Sequence, residues 1–152
     1  MLDDSINLRT VQEVRAVINT EPGPIAMNEF AEFLRLFRIA YAGTLDTLGG
    51  SDKLANTDPS LSVDDIVRLT KVHLRILSNA DIVRLGTEPL EVEPAILTIN
   101  RENPLMILFV GVVIAFAVAT ILSGGKFEGL GLKIELPPLG HGITELKKAL
   151  RF

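Results

Sequence analysis

The feature that most constrains this chain is one long apolar run, LMILFVGVVIAFAVATIL at residues 105–122. Eighteen consecutive residues carry no charge, and only Gly111 and Thr120 depart from a wholly apolar series. A chain that holds such a run must either bury it among its own side chains or place it in lipid. The predicted location and assembly of the protein depend on which of the two occurs.

The residues around the run are typical of the two ends of a helix. Asn103 is a favoured N-cap, and Pro104 is preorganised for the first helical position, where its missing N–H costs nothing. The sequence SGG at 123–125 is a stop signal. Eighteen helical residues extend about 27 Å, close to a hydrocarbon core of about 30 Å, whereas strands rarely exceed about ten residues. We therefore predict one transmembrane helix at 103–125.

A second interpretation keeps the run inside protein, either as the central helix of one domain or buried between protomers of a large assembly. Against this interpretation, a core helix in a chain of 152 residues normally keeps one wet face. In its favour, no Trp or Tyr marks the ends of the run, as the aromatic belts of membrane helices would. The sequence thus favours a single-pass protein of the cell membrane and leaves the buried helix open as the alternative.

The whole sequence predicts an α+β fold in three parts. Residues 1–102 form a small α+β domain with a long amphipathic helix and short strands. Residues 103–125 form the hydrophobic helix. Residues 126–152 form a basic tail, with five Lys and Arg against three Asp and Glu, and contain an extended segment and a short amphipathic helix.

Helical spacing of apolar residues locates the helices outside the run. Phenylalanine, leucine and tyrosine recur every three or four residues and predict an amphipathic helix over about 27–48. Ser62, with Asp65 three residues later, resembles a capping box and predicts the start of a short helix. ITELKKALRF at 143–152 separates apolar from basic positions and predicts a short helix at the end of the chain.

Alternation of apolar and polar residues locates the strands. The segment 6–18 mixes β-branched and charged residues, and KVHLRIL at 71–77 alternates throughout. Two further short strands are predicted at 81–86 (DIVRLG) and 95–100 (AILTIN). In the tail, leucine and isoleucine alternate over 130–136 and predict an extended segment before two prolines.

Four small residues in the run predict how copies of the chain associate. Gly111, Ala115, Ala119 and Ser123 recur every four residues and share one face of the predicted helix. Helices in lipid associate through close backbone approach, which small side chains permit. We therefore predict a helix–helix contact between protomers through these four residues, in a homo-oligomer or as a subunit of a membrane complex. The alternative is that Gly and Ala are merely common in membrane helices.

Basic residues after the run predict a contact with the membrane surface. Lys126, Lys147, Lys148 and Arg151 follow the apolar run closely enough to meet anionic lipid head groups. The same residues are also compatible with a basic helix that packs on the domain. Membrane lipid is the predicted partner, and the net charge of −4 gives no reason to expect nucleic acid.

The sequence holds no arrangement that is typical of catalysis or of a cofactor site. There is no cysteine, so disulfides and thiolate sites are excluded. The two histidines, His73 and His141, have no second histidine at ligand spacing, and SGGK at 123–126 lacks the other residues of a phosphate loop. We predict no catalytic residue, no metal and no cofactor.

The segment AILTINRENPL at 95–105, followed by the apolar run, resembles small bacterial single-span proteins of uncharacterised function. The resemblance implies a prokaryotic or phage source, and it assigns no activity and no site residue. The function predicted from the residues is a non-enzymatic, membrane-anchored structural or scaffolding subunit that self-associates. Two alternatives stay open: a pore-forming or membrane-disrupting effector with a sensing N-terminal domain, and a soluble shell or filament subunit.

Overall fold

The computed structural model describes residues 9–18, 24–49, 61–101, 104–129 and 131–152. Within these ranges the chain forms five strands and five helices, so the predicted α+β class is confirmed. In chain order they are β1 (Val11–Ile18), α1 (Met27–Thr47), α2 (Val63–Ile76), α3 (Asn79–Leu85), β2 (Ala95–Arg101), β3 (Leu105–Val112), α4 (Val113–Leu122), β4 (Lys126–Glu128), β5 (Lys133–Leu136) and α5 (Leu139–Leu150).

The apolar run is a strand followed by a helix. Its first eight residues form β3 and its last ten form α4, with the boundary between Val112 and Val113. In the part of the chain that the structure describes, no helix combines the length and the apolar character that a bilayer crossing needs. The predicted transmembrane helix at 103–125 is therefore wrong, and so is the predicted single-pass location in the cell membrane.

Both halves of the run are buried by other parts of the same chain. Strand β3 is hydrogen-bonded on one side to β1 and on the other to β2. Helix α4 packs on α1 and is buried at every residue except the half-buried Ile121. A strand or a helix that is surrounded in this way is apolar throughout, and periodicity cannot distinguish the two. This ambiguity is the physical reason why the predicted single helix is wrong.

The junction between β3 and α4 is held by two distant parts of the chain. The Val112 amide donates to the hydroxyl of Tyr41 in α1 (2.9 Å), and that hydroxyl donates to the Val92 carbonyl oxygen (3.1 Å). The next amide, that of Val113, donates to the Thr10 carbonyl oxygen (3.1 Å). Amides at the start of a helix have no partner within it, and here residues outside α4 satisfy two of them.

The five strands form one mixed sheet in the order β2-β3-β1-β5-β4. β1 lies at the centre, antiparallel to β3 and parallel to β5, while β2 and β4 form the two edges. The sheet therefore takes strands from all three parts of the sequence, 1–102, 103–125 and 126–152.

The core lies between the sheet and the helices that pack on it. Five aromatic side chains form its centre, with neighbouring ring centroids 5.0 to 6.3 Å apart. They are Phe33, Phe37 and Tyr41 of α1, Phe109 of β3 and Phe116 of α4. Because α1, β3 and α4 each contribute rings, this cluster joins the long helix to both halves of the apolar run.

Several shorter predictions are confirmed at nearly the predicted places. The helix over 27–48 is α1, and the tail helix is α5, which begins four residues earlier than predicted. The strand at 95–100 is β2, and the last four residues of the extended segment at 130–136 are β5, while residue 130 lies outside the described residues. The strand at 6–18 is β1, although residues 6–8 lie outside the described residues. The capping box is also confirmed, since Ser62 Oγ accepts from the Asp65 amide (3.1 Å) and Asp65 Oδ2 accepts from the Ser62 amide (3.0 Å).

The strands predicted at 71–77 and 81–86 are wrong, because these residues lie mainly in α2 and α3. The alternation over 71–77 rested on Val72, Leu74 and Ile76, and of these only Leu74 is buried. Val72 and Ile76 are 57% and 76% exposed, so the three residues do not share a buried face. Helix α2 instead buries Ile66, Val67, Thr70 and Leu74, whose spacing is helical.

We expect Gly111→Ala to destabilise the fold, because a Cβ at this position would lie 2.8 Å from Phe116 Cε2 and 2.8 Å from the Tyr41 hydroxyl. Both neighbours are buried, so the expected loss in the free energy of unfolding is about 1–3 kcal/mol, measured by urea denaturation. Gly131→Ala is the matched control, since nothing lies within 4 Å of the position that its methyl group would take. Equal midpoints for the two variants would contradict the close approach at Gly111.

We expect the ionisation of Tyr41 to report whether the β3–α4 junction is intact. Burial is the main cause that raises the pKa of Tyr41 to about 12, from about 10 for a free tyrosine. The unfolded chain ionises first as the pH rises, so the contribution to stability is present below about pH 10 and is lost as the pH rises towards about 12. Tyr41 is the only tyrosine and tryptophan is absent, so ultraviolet absorbance follows this group alone.

The control for this titration is the same protein in urea, where the midpoint should return to about 10. Equal midpoints for the folded and the unfolded chain would contradict burial of the hydroxyl at the junction.

Candidate functional site

The four small residues of the predicted helix contact do not lie on one helix. Gly111 belongs to β3, Ala115 and Ala119 belong to α4, and Ser123 is the C-cap of α4. All four are buried within the single chain, and Ser123 Oγ donates to the Thr120 carbonyl oxygen (2.6 Å). These small residues pack against other helices and strands of the same chain. A contact between protomers through them stays a prediction.

The four basic residues predicted at a membrane surface are exposed but separated. Lys126 lies in the edge strand β4, whereas Lys147 and Lys148 lie in α5 and Arg151 follows that helix. Lys148 forms an ion pair with Glu145 (3.3 Å) in the same helix. The structure thus brings three of the four together at the end of α5, and their contact with lipid stays a prediction.

Neither histidine belongs to a cluster of metal ligands in the described ranges, where no three His, Cys, Asp or Glu side chains lie close enough to hold an ion. His73 Nε2 lies 2.6 Å from Asp46 Oδ2, so this side chain joins α2 to α1. His141 lies beside Gly124, just after α4.

Among the described surfaces, the free edge of β2 is the one best suited to bind another strand. β2 pairs only with β3 among the described strands, and all seven of its residues are exposed. Ile96, Leu97 and Ile99 are 38%, 50% and 51% exposed. Alternate residues of an edge strand direct their N–H and C=O groups away from the sheet, where another strand can pair with them. We refer to residues 95–101, with their outward backbone groups, as the β2 edge.

The opposite edge of the sheet carries features that discourage pairing, and the β2 edge lacks them. β4 has only three residues, and two of them are the charged Lys126 and Glu128. β2 has seven residues, no proline, and a single charge at Arg101, its last residue. Short edge strands and charged side chains are common means of preventing strands from pairing between molecules. The β2 edge is therefore the accessible one.

The pairing of β2 with β3 is interrupted at Leu97. Ile96 pairs with Phe109 and Thr98 with Leu108, so Leu97 has no partner in the ladder. Cross-strand partners share a face of the sheet. Ile96, like the buried Phe109, therefore lies on the face that the helices cover, yet it is exposed because none of the described helices extends over β2.

A small apolar recess lies beside this exposed strand. Its volume is about 150 Å³, and it opens between α1, the start of β2 and the aromatic cluster. Among the described residues, apolar side chains line most of it, together with one charged side chain, Arg38. The lining residues are Leu34, Phe37, Arg38, Pro94, Ile96, Phe109 and Phe116. A strand that pairs with the β2 edge would find a place for an apolar side chain here.

Arg38 of α1 fixes the segment that leads into β2. Its guanidinium binds both carboxylate oxygens of Glu93, at 2.7 Å from Nη2 and 2.5 Å from Nε. It also donates to the carbonyl oxygens of Leu85 (3.2 Å) and Glu88 (3.0 Å). The hydrogen bond from Arg38 holds the pKa of Glu93 below its ordinary value. Because two side chains of α1, Arg38 and Tyr41, hold residues 85–93, the start of β2 has a defined position.

Comparison with protein-family models, with curated proteins and with solved structures finds no match to this chain. Its function is therefore inferred from the geometry of its own residues.

We expect Glu93→Gln to loosen the segment before β2 while the core stays folded. The pair is partly exposed, so the expected loss in the free energy of unfolding is below about 1 kcal/mol. Amide hydrogen exchange over residues 86–94 should nevertheless become faster. Since the folded pKa of Glu93 is depressed, its contribution is present above the unfolded pKa and is lost as the pH falls through the folded one.

Glu13→Gln is the control for this change, because Glu13 lies on β1 and is exposed. It should leave the exchange of residues 86–94 unchanged. If the two variants exchange alike in this segment, the ion pair of Arg38 with Glu93 does not hold it.

Proposed function

We propose that this chain is a non-enzymatic structural subunit that assembles with further copies of itself through the β2 edge. The observation that carries the proposal is a seven-residue edge strand with three exposed apolar side chains and one charge. Of the functions that the sequence left open, this one is nearest to the shell or filament subunit. It differs in one respect, since the apolar run is buried within the protomer and not between protomers.

The physical reason for a strand as partner lies in the backbone of β2. Addition of a strand to a free edge replaces hydrogen bonds to water by hydrogen bonds between chains. Each contributes only about 0.5–1.5 kcal/mol net, so the side chains must contribute as well. Burial of Ile96, Leu97 and Ile99 supplies this part, at about 25 cal/mol for each Å² of apolar surface removed from water.

The charge pattern of β2 favours an antiparallel pairing of two copies. If the two strands pair about Thr98, Arg101 of one copy lies opposite the partner's Ala95, and the two guanidinium groups lie at opposite ends. A parallel pairing in register would place the two Arg101 side chains beside each other, which is unfavourable. The antiparallel arrangement is two-fold, so each copy offers the same edge and the same recess to the other.

Growth beyond a dimer requires a second surface, because the charged β4 edge does not favour pairing. The face of the sheet opposite the buried residues of β3 offers one. Met106, Leu108 and Val110 of β3 lie on that face and are half-buried, as is Val17 of β1. A structural subunit with one strand-edge contact and one sheet-face contact has the two contacts that an extended assembly needs.

We expect Leu97→Lys to dissociate the assembly without unfolding the chain. Leu97 is 50% exposed and has no partner in β3, so a lysine there is accommodated in the monomer. In the antiparallel pairing about Thr98 it would lie opposite the partner's Ile99, so each copy would bury a charge against an apolar side chain. The expected result is at least a tenfold weaker association, read from molar mass against concentration by light scattering.

Val83→Lys is the matched control, because Val83 is 51% exposed but lies in α3, away from the β2 edge. It should keep the mass of the wild type. The proposal is wrong if the wild type has the mass of one chain at every concentration, or if both variants dissociate equally.

A further inference from the structure

A second recess, of about 300 Å³, opens where three helices end. The last turns of α2, α4 and α5 line it, together with Arg151 after α5. Four of its lining side chains are cations: Lys71 and Arg75 from α2, Lys148 from α5, and Arg151. We refer to this recess, with these four cations, as the basic cleft.

Negative side chains do not balance the charge of the basic cleft. Among the described residues that line it, Glu145 is the only carboxylate, and it is already paired with Lys148 (3.3 Å). Lys71 and Arg75 form no ion pair with any described residue. They are four residues apart on one helix face, where like charges repel and destabilise the helix by a few tenths of a kcal/mol.

The helix ends offset part of this positive charge. Each helix C-terminus carries about half a negative charge, and three of them meet at the basic cleft. Arg151 binds the C-terminus of α2 directly, since it donates hydrogen bonds to the carbonyl oxygens of Leu74 (2.7 Å) and Leu77. Three half charges and one carboxylate do not neutralise four cations, so the described lining of the cleft keeps a net positive charge.

The part of the cleft that is not charged is apolar. Ile121 and Leu122, the last two residues of α4, line it, and Ala149 of α5 lies with them. Cations beside an apolar wall suit a molecule with an anionic group and an uncharged body. A multiply charged oxyanion uses several cations at once, and guanidinium groups bind phosphate oxygens in pairs.

We infer that the basic cleft binds a small phosphorylated molecule, with its phosphate group at Lys71, Arg75 and Lys148 and its uncharged part against Ile121 and Leu122. The volume lies at the lower end of the range for small-molecule sites, about 300–1,000 Å³. The cations line a recess between helices, whereas a bilayer surface would require them on one open face. The inference does not depend on the proposed assembly, because the cleft and the β2 edge share no residue.

Phenyl phosphate is a suitable probe, because it combines a dianion with an apolar ring. We expect it to bind the full chain saturably in calorimetry, and more tightly than inorganic phosphate or benzoate, which each lack one of the two parts. The double variant Lys71→Gln, Arg75→Gln should bind at least tenfold more weakly. Its melting temperature without ligand should stay close to that of the wild type, because the substitution removes the repulsion between Lys71 and Arg75 but also the attraction of Arg75 to the C-terminus of α2. Phenyl phosphate should no longer raise it.

Lys147→Gln is the matched control, because Lys147 is exposed in α5 next to Lys148 but does not line the cleft. It should keep the affinity of the wild type. An equal loss in the control would overturn the inference, as would full affinity in the double variant. Binding to vesicles that contain phosphatidate, with no binding of phenyl phosphate, would also overturn it and would assign these cations to a lipid surface.

Discussion

The rest of the structure depends on the two hydrogen bonds of the Tyr41 hydroxyl. This hydroxyl accepts the amide of Val112 (2.9 Å), where β3 becomes α4, and donates to the carbonyl oxygen of Val92 (3.1 Å), shortly before β2 begins. Without an acceptor, a buried amide at this junction would cost about 1–3 kcal/mol. With it, the chain changes from strand to helix inside the apolar run, and both halves of the run are buried in the same core. Gly111 completes the arrangement, because a side chain there would occupy the space of the hydroxyl.

The helix that carries Tyr41 also sets the geometry of the candidate site. Arg38 lies three residues earlier on α1, and it binds Glu93 and the carbonyl oxygens of the segment before β2. Tyr41 and Arg38 together fix the place where β2 enters the sheet, next to the apolar recess. The exposure of β2 is thus a consequence of ordered packing. The strand has a defined position at the sheet edge, and the helix layer ends before it covers that position.

Patterns in the sequence predict those helices and caps that depend on neighbouring residues. They do not predict features that depend on contacts between distant parts of the chain. The helical spacing over 27–48 and the capping box of Ser62 and Asp65 depend on nearby residues alone, and both are confirmed. The division of the apolar run at Val112 depends on Tyr41 and on Thr10, both far earlier in the chain, so no pattern within the run contains it. Likewise, the sequence predicts β2 as a strand, but its position at an edge follows from the order of all five strands.

Both proposed surfaces carry features that the folded monomer does not need. Polar residues in place of Leu97 and Ile99 would cost the single chain little, since exposed positions tolerate substitution within about 0.5 kcal/mol. The like charges of Lys71 and Arg75, four residues apart on α2, repel each other. Departures from what folding favours are expected at functional sites. The charged, three-residue β4 is a protected edge of the same sheet, and its contrast with β2 supports the proposed assembly through the β2 edge.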